Sequence, residues 1–362
     1  MAKTKGKDQI LPDVAAGIAS LSRNRNPFSI SSSKISRTKK IQYESDIAYQ
    51  PISNVRFAMI SLNKPVGRFH EDNLLNKPLA ETKGDHIPIQ LKNKWGLERN
   101  EYFRKLYLGD HQQSYKYLKV YIDAIHRALE DAKANIVCVN ELGIAANMDG
   151  PLPGFFKEVS KLVKNTPALI ITGSHHDSRT RYNTGYIFYP SCPIHGQPFH
   201  KQVSATQPEI GEYISVPSER QSKVITAFRF NIAVITCLDL MDFSIISSLV
   251  QLRDKLDFII IPTCSPKTEP LEEIAKTVSE VLRGGVFINN EYRKGKKPAS
   301  HAYFFGDRRP KDPDSQIILD NNGIIDIYDI QRNWFEENKY NRPSPTPPHS
   351  LFRWLLTGTI VD

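Results

Sequence analysis

The 362-residue sequence contains no apolar run near the length a membrane-spanning helix requires, roughly 18 to 20 residues. Its longest apolar stretches, Asn231 to Cys237 and Asp257 to Pro262, have the length of buried strands instead. Cysteine is scarce. Four residues, Cys138, Cys192, Cys237 and Cys264, are too few for a disulfide framework in a chain this long, and three of them follow or interrupt apolar runs, so reduced thiols are expected. The basic start MAKTKGKDQI lacks an apolar core and a small-residue cleavage site. A secretory signal is therefore not expected, the expected location is cytoplasmic, and no membrane partner is foreseen. Internal repeats are also lacking, and the one low-complexity piece is RPSPTPPH near the C-terminus, which reads as an extended linker.

What is present is ordinary globular composition, 40% hydrophobic and 24% charged, suited to one large domain or two modest ones. The net charge is +9 and is unevenly spread, because residues 1–50 carry nine Lys and Arg against four Asp and Glu. Such an arm either contacts nucleic acid or an acidic partner through its cations, or remains a solvated tail.

The pattern of apolar residues divides the chain into a basic extension over 1–50, a folded domain over 51–335 that contains a long polar insertion at about 63–113, and a proline-rich C-terminal segment over 336–362. Within the extension, Val14 to Leu21 has the spacing of a short helix. Strands are expected at Val55 to Leu62, over NIVCVNEL, and at Ala168 to Thr172, Thr184 to Tyr189, Lys223 to Phe228, Ile232 to Thr236, Phe258 to Ile261 and Gly285 to Asn289. Apolar residues at three- and four-residue spacing predict helices over Ser114 to Ala132, Gly154 to Lys164, Ser244 to Leu252 and Leu271 to Leu282. Interleaved strands and helices, with some strands adjacent in sequence, define an α/β layered domain with a mixed sheet.

Three chemically capable residues stand at the ends of apolar strands: Glu141 after NIVCVN, Cys237 after NIAVIT and Cys264 after FIIIPT. Strand carboxyl ends build the sites of open α/β sheets. A lone glutamate there can simply cap a turn, and a lone cysteine can simply fill a core. Cys237, however, stands at an expected strand-to-helix junction, where amide N–H groups stabilise a thiolate. A thiol of ordinary pKa, about 8.5, is only slightly ionised at neutral pH and needs a base or cation beside it. Glu141 and Lys201 are the candidates for base and cation.

The order Glu141 in VCVNELG, Lys201 in FHKQVSATQPE and Cys237 in IAVITCLDL resembles the Glu-Lys-Cys triad of the nitrilase superfamily, the carbon–nitrogen hydrolases. The segment GSHHDSRTRYNTGYIFYPSCPIHGQPFHK resembles the family's strand, hairpin and strand before the lysine, with Asn183 leading a strand and Gly196 in the turn. DFIIIPTCSP and VFINNEYRKG resemble its later strands, so the likeness runs from about Val55 to Ile330 outside the insertion. It implies a four-layer α-β-β-α sandwich with mixed sheets and a homodimer or higher homo-oligomer. It also implies a cysteine thioester route: Cys237 attacks, Glu141 moves the proton, and Lys201 with the Leu238 N–H holds the oxyanion. This chemistry calls for no cofactor or metal.

The family's second acid falls on the loop after the lysine, where Glu209 is preferred over Glu212 as the residue that orients substrate or Lys201. Leu238, Asp239 and Asn183 are expected to line the substrate site. Because Leu238 and Asp239 after the cysteine resemble the amidase-type branches more than true nitrilases, where a Trp-Glu pair is usual, an amide or carbamoyl small molecule is expected over a nitrile. Asn140 replaces a common proline, and the insertion is atypical; both leave substrate class open rather than fold.

Two other readings stay open. A Cys-His thiol hydrolase would draw its base from His175, His176, His195, His200 or His301; a metal site on His175, His176 and Asp177 is weaker, lacking zinc-type spacing. A catalytically silent scaffold would act through the basic arm, the insertion and oligomer surfaces. LFRWLLTGTI at the C-terminus is apolar enough to pack on its own domain or across a subunit. Cys264 reads as a pocket wall and Cys138 as core.

Overall fold

The computed structural model describes residues 39–42, 52–63, 111–147, 150–176, 180, 182–203, 222–265, 268–292, 299–307 and 309–341. The expected Val14 to Leu21 helix, nearly all of the 63–113 insertion, Glu209, Glu212 and the LFRWLLTGTI segment lie outside them.

The chain runs β1 (Lys39–Gln42), β2 (Asn54–Leu62), α1 (His111–Glu130), β3 (Ile136–Val139), β4 (Ala146–Asn147), β5 (Gly150–Pro151), α2 (Phe155–Asn165) and β6 (Leu169–His176). It continues through β7 (Asn183–Phe188), β8 (Gln197–His200), β9 (Lys223–Ala227), β10 (Phe230–Val234), a 3-10 turn (Cys237–Met241) and α3 (Phe243–Val250). Last come β11 (Phe258–Pro262), α4 (Glu269–Leu282), β12 (Gly285–Asn289), β13 (Ser300–Phe304), β14 (Ser315–Ile318), β15 (Gly323–Gln331) and α5 (Arg332–Asn341).

Two mixed sheets form, one seven-stranded in the order β14-β15-β2-β3-β6-β7-β8 and one six-stranded in the order β1-β9-β10-β11-β12-β13. Their centres are parallel: β2 with β3, β3 with β6, β10 with β11 and β11 with β12. A strand buried on both faces reads as a continuous apolar run, and its alternate residues then serve different layers. In β2, Phe57 and Met59 pack toward the other sheet while Ala58, Ile60 and Leu62 pack under α1 and α2. In β11 and β12, Phe258, Ile260 and Phe287 face the first sheet, whereas Ile259, Ile261, Val286 and Ile288 meet α3 and α4. The result is the expected four-layer α-β-β-α sandwich, with helices outside and two sheets packed face to face.

The inner layer is aromatic. Phe57 stacks on Phe287 at 4.6 Å between centroids, and Phe258 meets Phe57 edge-on at 5.1 Å. Near its site end the polar side chain of Asn289 crosses this apolar layer: at the end of β12 it donates to the carbonyls of Ile60 (3.0 Å) and Cys138 (2.9 Å) and accepts from Ser61 Oγ (2.8 Å).

β6 runs four residues past the expected strand end, through buried Ser174, His175 and His176. These stay in the strand because polar partners are supplied there; the His175 Nδ1–H, for instance, donates to Thr184 O on β7. β1 lies inside the expected N-terminal extension yet pairs in parallel with β9 at the sheet edge. α5 continues from β15 across the expected domain end at 335, and it is tied down by buried Lys339, whose Nζ bonds Leu256 O (2.8 Å) and the Asp257 carboxylate.

Candidate active site

The carboxyl ends of β3, β10, β11 and β12 are followed by Glu141, Cys237, Cys264 and Glu291, all buried or nearly so. Contacts between the ends join them: the Cys264 N–H reaches Glu141, the Cys264 thiol meets Glu291, and Asp239 ties the turn at Cys237 to the backbone after Lys201.

Glu141 is held before any substrate arrives. Asn140 takes the place of a rigid proline by bonding: its N–H donates to Ile60 O (3.1 Å), its Oδ1 accepts from Leu62 N (2.8 Å), and its Nδ2 donates to Glu141 O (3.0 Å). After the acid, Leu142 turns into the left-handed region (φ 58°), and its N–H donates to Ser174 Oγ (3.2 Å). Gly173, at the bulge in β6, makes this turn possible: a Cβ there would lie 2.1 Å from Asn140 O, and its φ of +65° suits glycine.

The Glu141 carboxylate, 2% exposed, receives three donors. Oε1 accepts from Lys201 Nζ at 2.8 Å and Asn183 Nδ2 at 3.0 Å, and Oε2 accepts from the Cys264 N–H at 3.1 Å. Lys201, also 2% exposed, follows β8, and its own N–H donates to Asn183 O at 2.9 Å. Asn183, the first residue of β7, thus binds the acid with its side chain and the lysine with its backbone. A buried ion pair is costly to desolvate and holds only with such further bonds.

Cys237 ends the segment after β10 and is 5% exposed, with φ of 48°. The expected helix start proves to be a 3-10 turn, Cys237–Met241, and the α-helix begins only at Phe243. Asp242 caps that helix by accepting from Ser244 N (2.9 Å) and Ile245 N (3.3 Å). Leu238 is partly buried against the core beneath α3 and α4. Asp239, expected to meet substrate, is 1% exposed and has both oxygens on backbone amides: Oδ1 accepts from Gln202 N and Val203 N at 2.8 Å each, Oδ2 from Thr236 N at 3.1 Å. Burial pushes its carboxyl up to about 7, against the pull of these amides and of Lys201.

Cys264, read as a pocket wall, contributes more than a wall. Its N–H orients Glu141, and its thiol lies 3.7 Å from Glu291 Oε2. The turn that presents it is folded by Asn290, which accepts from Thr263 Oγ1 (3.0 Å) and Ser265 N (2.9 Å) and donates to Ser265 O (2.9 Å). The sequence pointed to the strand ending in Asn289, but the parts played by Asn290, Glu291 and the Cys264 amide went unseen, since a backbone donor leaves no mark in residue type. Cys138 lies wholly inside β3, and burial pushes its thiol up to about 12.

Four of the five candidate histidines have other contacts. Nδ1 of His175 and of His200 both meet Thr184, at 3.2 and 3.0 Å, His195 packs edge-on against Phe156, and His301 faces Glu272. Among the described residues no group of three His, Cys, Asp or Glu is placed to hold a metal ion; Asp177 lies outside them. No described helix is long and apolar enough to cross a membrane.

No model of a known protein family matches the sequence, and no curated protein matches it by sequence. Solved structures do match. Nit3 of Saccharomyces cerevisiae, a member of branch 10 of the nitrilase superfamily, is 13% identical and superposes with a TM-score of 0.51, covering 82% of this chain and 96% of its own. A mutant of the amidase from Nesterenkonia sp. AN1, with the acetamide moiety of fluoroacetamide on its active-site cysteine, is 11% identical with a TM-score of 0.48 and covers 80% of this chain and 93% of its own. The chain has an α-β-β-α sandwich fold. It shares that fold with Nit3, a member of the nitrilase superfamily.

Proposed function

We propose that this protein is a carbon–nitrogen hydrolase that cleaves a non-peptide amide or carbamoyl bond of a small molecule through a thioester on Cys237. The observation that carries the reading is the buried contact between Glu141 Oε1 and Lys201 Nζ at 2.8 Å, made by residues 60 apart in sequence. An acid and a cation already paired and desolvated cost no reorganisation at the moment of reaction.

In this reading Glu141 accepts the Cys237 thiol proton as the sulfur attacks the carbonyl carbon. Lys201 Nζ and the Leu238 N–H hold the tetrahedral oxyanion. Losing one such donor typically costs about 3 kcal/mol in the barrier. The C–N bond then breaks, Glu141 returns the proton to the departing nitrogen, and a thioester remains. Water, deprotonated by Glu141, attacks that thioester, and the carboxylic or carbamic acid leaves as the thiol is restored. Leu238 in place of a tryptophan after the nucleophile supports an amide or carbamoyl substrate over a nitrile. Asn183 serves by holding Glu141, and Glu209 remains the proposed second acid.

The test is a panel of aliphatic amides and carbamoyl compounds, read by ammonia or amine release, together with intact-protein mass spectrometry. Turnover that vanishes in Cys237→Ala, and an acyl adduct mapped to Cys237 in wild type or in Glu141→Gln, are expected. A panel that is silent, with a Cys237 no more reactive toward iodoacetamide than Cys192, would overturn the reading.

A further inference from the structure

We propose that Asp239 is a positioning residue that sets Lys201 against Cys237, by fastening the backbone after the lysine to the turn that carries the nucleophile. The inference rests on the hydrolase reading above and adds to it a residue that touches neither substrate nor the reacting atoms.

The geometry is a clamp. Asp239 Oδ1 takes both amides that follow Lys201, Gln202 N and Val203 N, each at 2.8 Å. Oδ2 takes Thr236 N, at 3.1 Å, from the residue immediately before Cys237. One carboxylate therefore joins two segments that stand 36 and 37 residues apart in sequence. On its other side, Lys201 is fixed by its own N–H on Asn183 O at 2.9 Å. The lysine backbone is held from both directions, so its side chain reaches Glu141 from a fixed origin.

The same carboxylate closes a ring around Cys237. It spans from Asp239 back to Thr236 and so braces the nucleophile in its left-handed conformation, φ 48°. A non-glycine residue persists there only where its surroundings hold it. Displacing reacting groups by about 1 Å can cost on the order of 100-fold in rate.

Asp239→Asn isolates the effect, since it keeps the shape but turns one oxygen into a donor that confronts either Thr236 N–H or the two amides after Lys201. The experiment is a double-mutant cycle of Asp239→Asn and Lys201→Ala, reading the iodoacetamide alkylation rate of Cys237 by peptide mass spectrometry, with kcat and KM on any amide the panel yields. Asp239→Asn is expected to slow Cys237 alkylation and kcat about tenfold or more with the lysine present, to leave KM near its original value, and to do little once Lys201 is alanine. An equal loss in both backgrounds, or no loss in either, would overturn the proposal. If Asp239→Asn does not fold, Asp239→Glu carries the same cycle and the same criterion, because it keeps the charge while shifting the clamp. A Cys237 that is unreactive in wild type strikes the hydrolase reading instead, whereas a reactive Cys237 indifferent to Asp239 strikes this inference alone.

Discussion

The N–H of Cys264 donates to Glu141 Oε2 at 3.1 Å although the two residues are 123 apart and follow strands of different sheets. The acid is thus carried by one sheet and aimed by the other. Its second oxygen is shared by Lys201 and Asn183, both from the β7 and β8 region of the seven-stranded sheet. Sheet packing and site geometry are one problem here, because a shift of one sheet over the other removes a donor from the carboxylate.

Asn183 supplies one of the three donors to Glu141, and a hydrogen bond to a charged group is worth about 1.5 to 3 kcal/mol. Asn183→Ala should lower kcat by roughly 10- to 100-fold by steady-state kinetics, with a smaller change in KM. A variant with unchanged kcat would show that Lys201 and the Cys264 amide hold the acid by themselves.

Asn289 is a polar bridge between the sheets. Asn289→Leu leaves the buried carbonyls of Ile60 and Cys138 and the Ser61 hydroxyl without that partner, and an orphaned buried group costs about 1 to 3 kcal/mol. Urea unfolding should show a lower midpoint at an unchanged slope.

Asp239 also makes stability depend on pH. Its folded carboxyl is pushed by burial from the ordinary 3.8 up to about 7, so across that window the folded chain holds a proton that the unfolded chain has released. Stability from this group is therefore fully present below the ordinary value, declines as pH rises, and levels off above about 7. Thermal melts across that range should fall toward neutrality in wild type, and the decline should flatten in Asp239→Asn.

Cys138 is fully buried with its thiol pushed up to about 12, so it should resist alkylation at neutral pH until the chain unfolds. Time-resolved labelling should find Cys237 modified first, half-buried Cys192 later, and Cys138 only when urea is added. Labelling of Cys138 in the folded protein would mean that β3 opens locally.

Much of the sandwich was legible because doubly buried strands leave an unmistakable apolar run: β2, β11 and β12 appear in the sequence nearly at their observed limits. β6 was cut short at Thr172 because Ser174, His175 and His176 look like loop. They are strand because β7 pairs with them through Thr184 and Asn183. α5, RNWFEENKYN, was missed altogether, since it buries chiefly Phe335 and the paired Lys339, too little to impose a period. The helix expected right after Cys237 failed for a local reason, a 3-10 turn drawn tight by Asp239 on Thr236 N–H.

By itself the sequence determined the layers and singled out the candidate site residues, because burial on two faces and the scarcity of charged or thiol groups at strand ends are written in residue type. Only the tertiary structure decided how those residues are held. The three donors on Glu141, the cross-sheet amide of Cys264 and the Asp239 clamp join segments far apart in the chain, two of them through backbone N–H groups that nearly every residue possesses and no residue type announces.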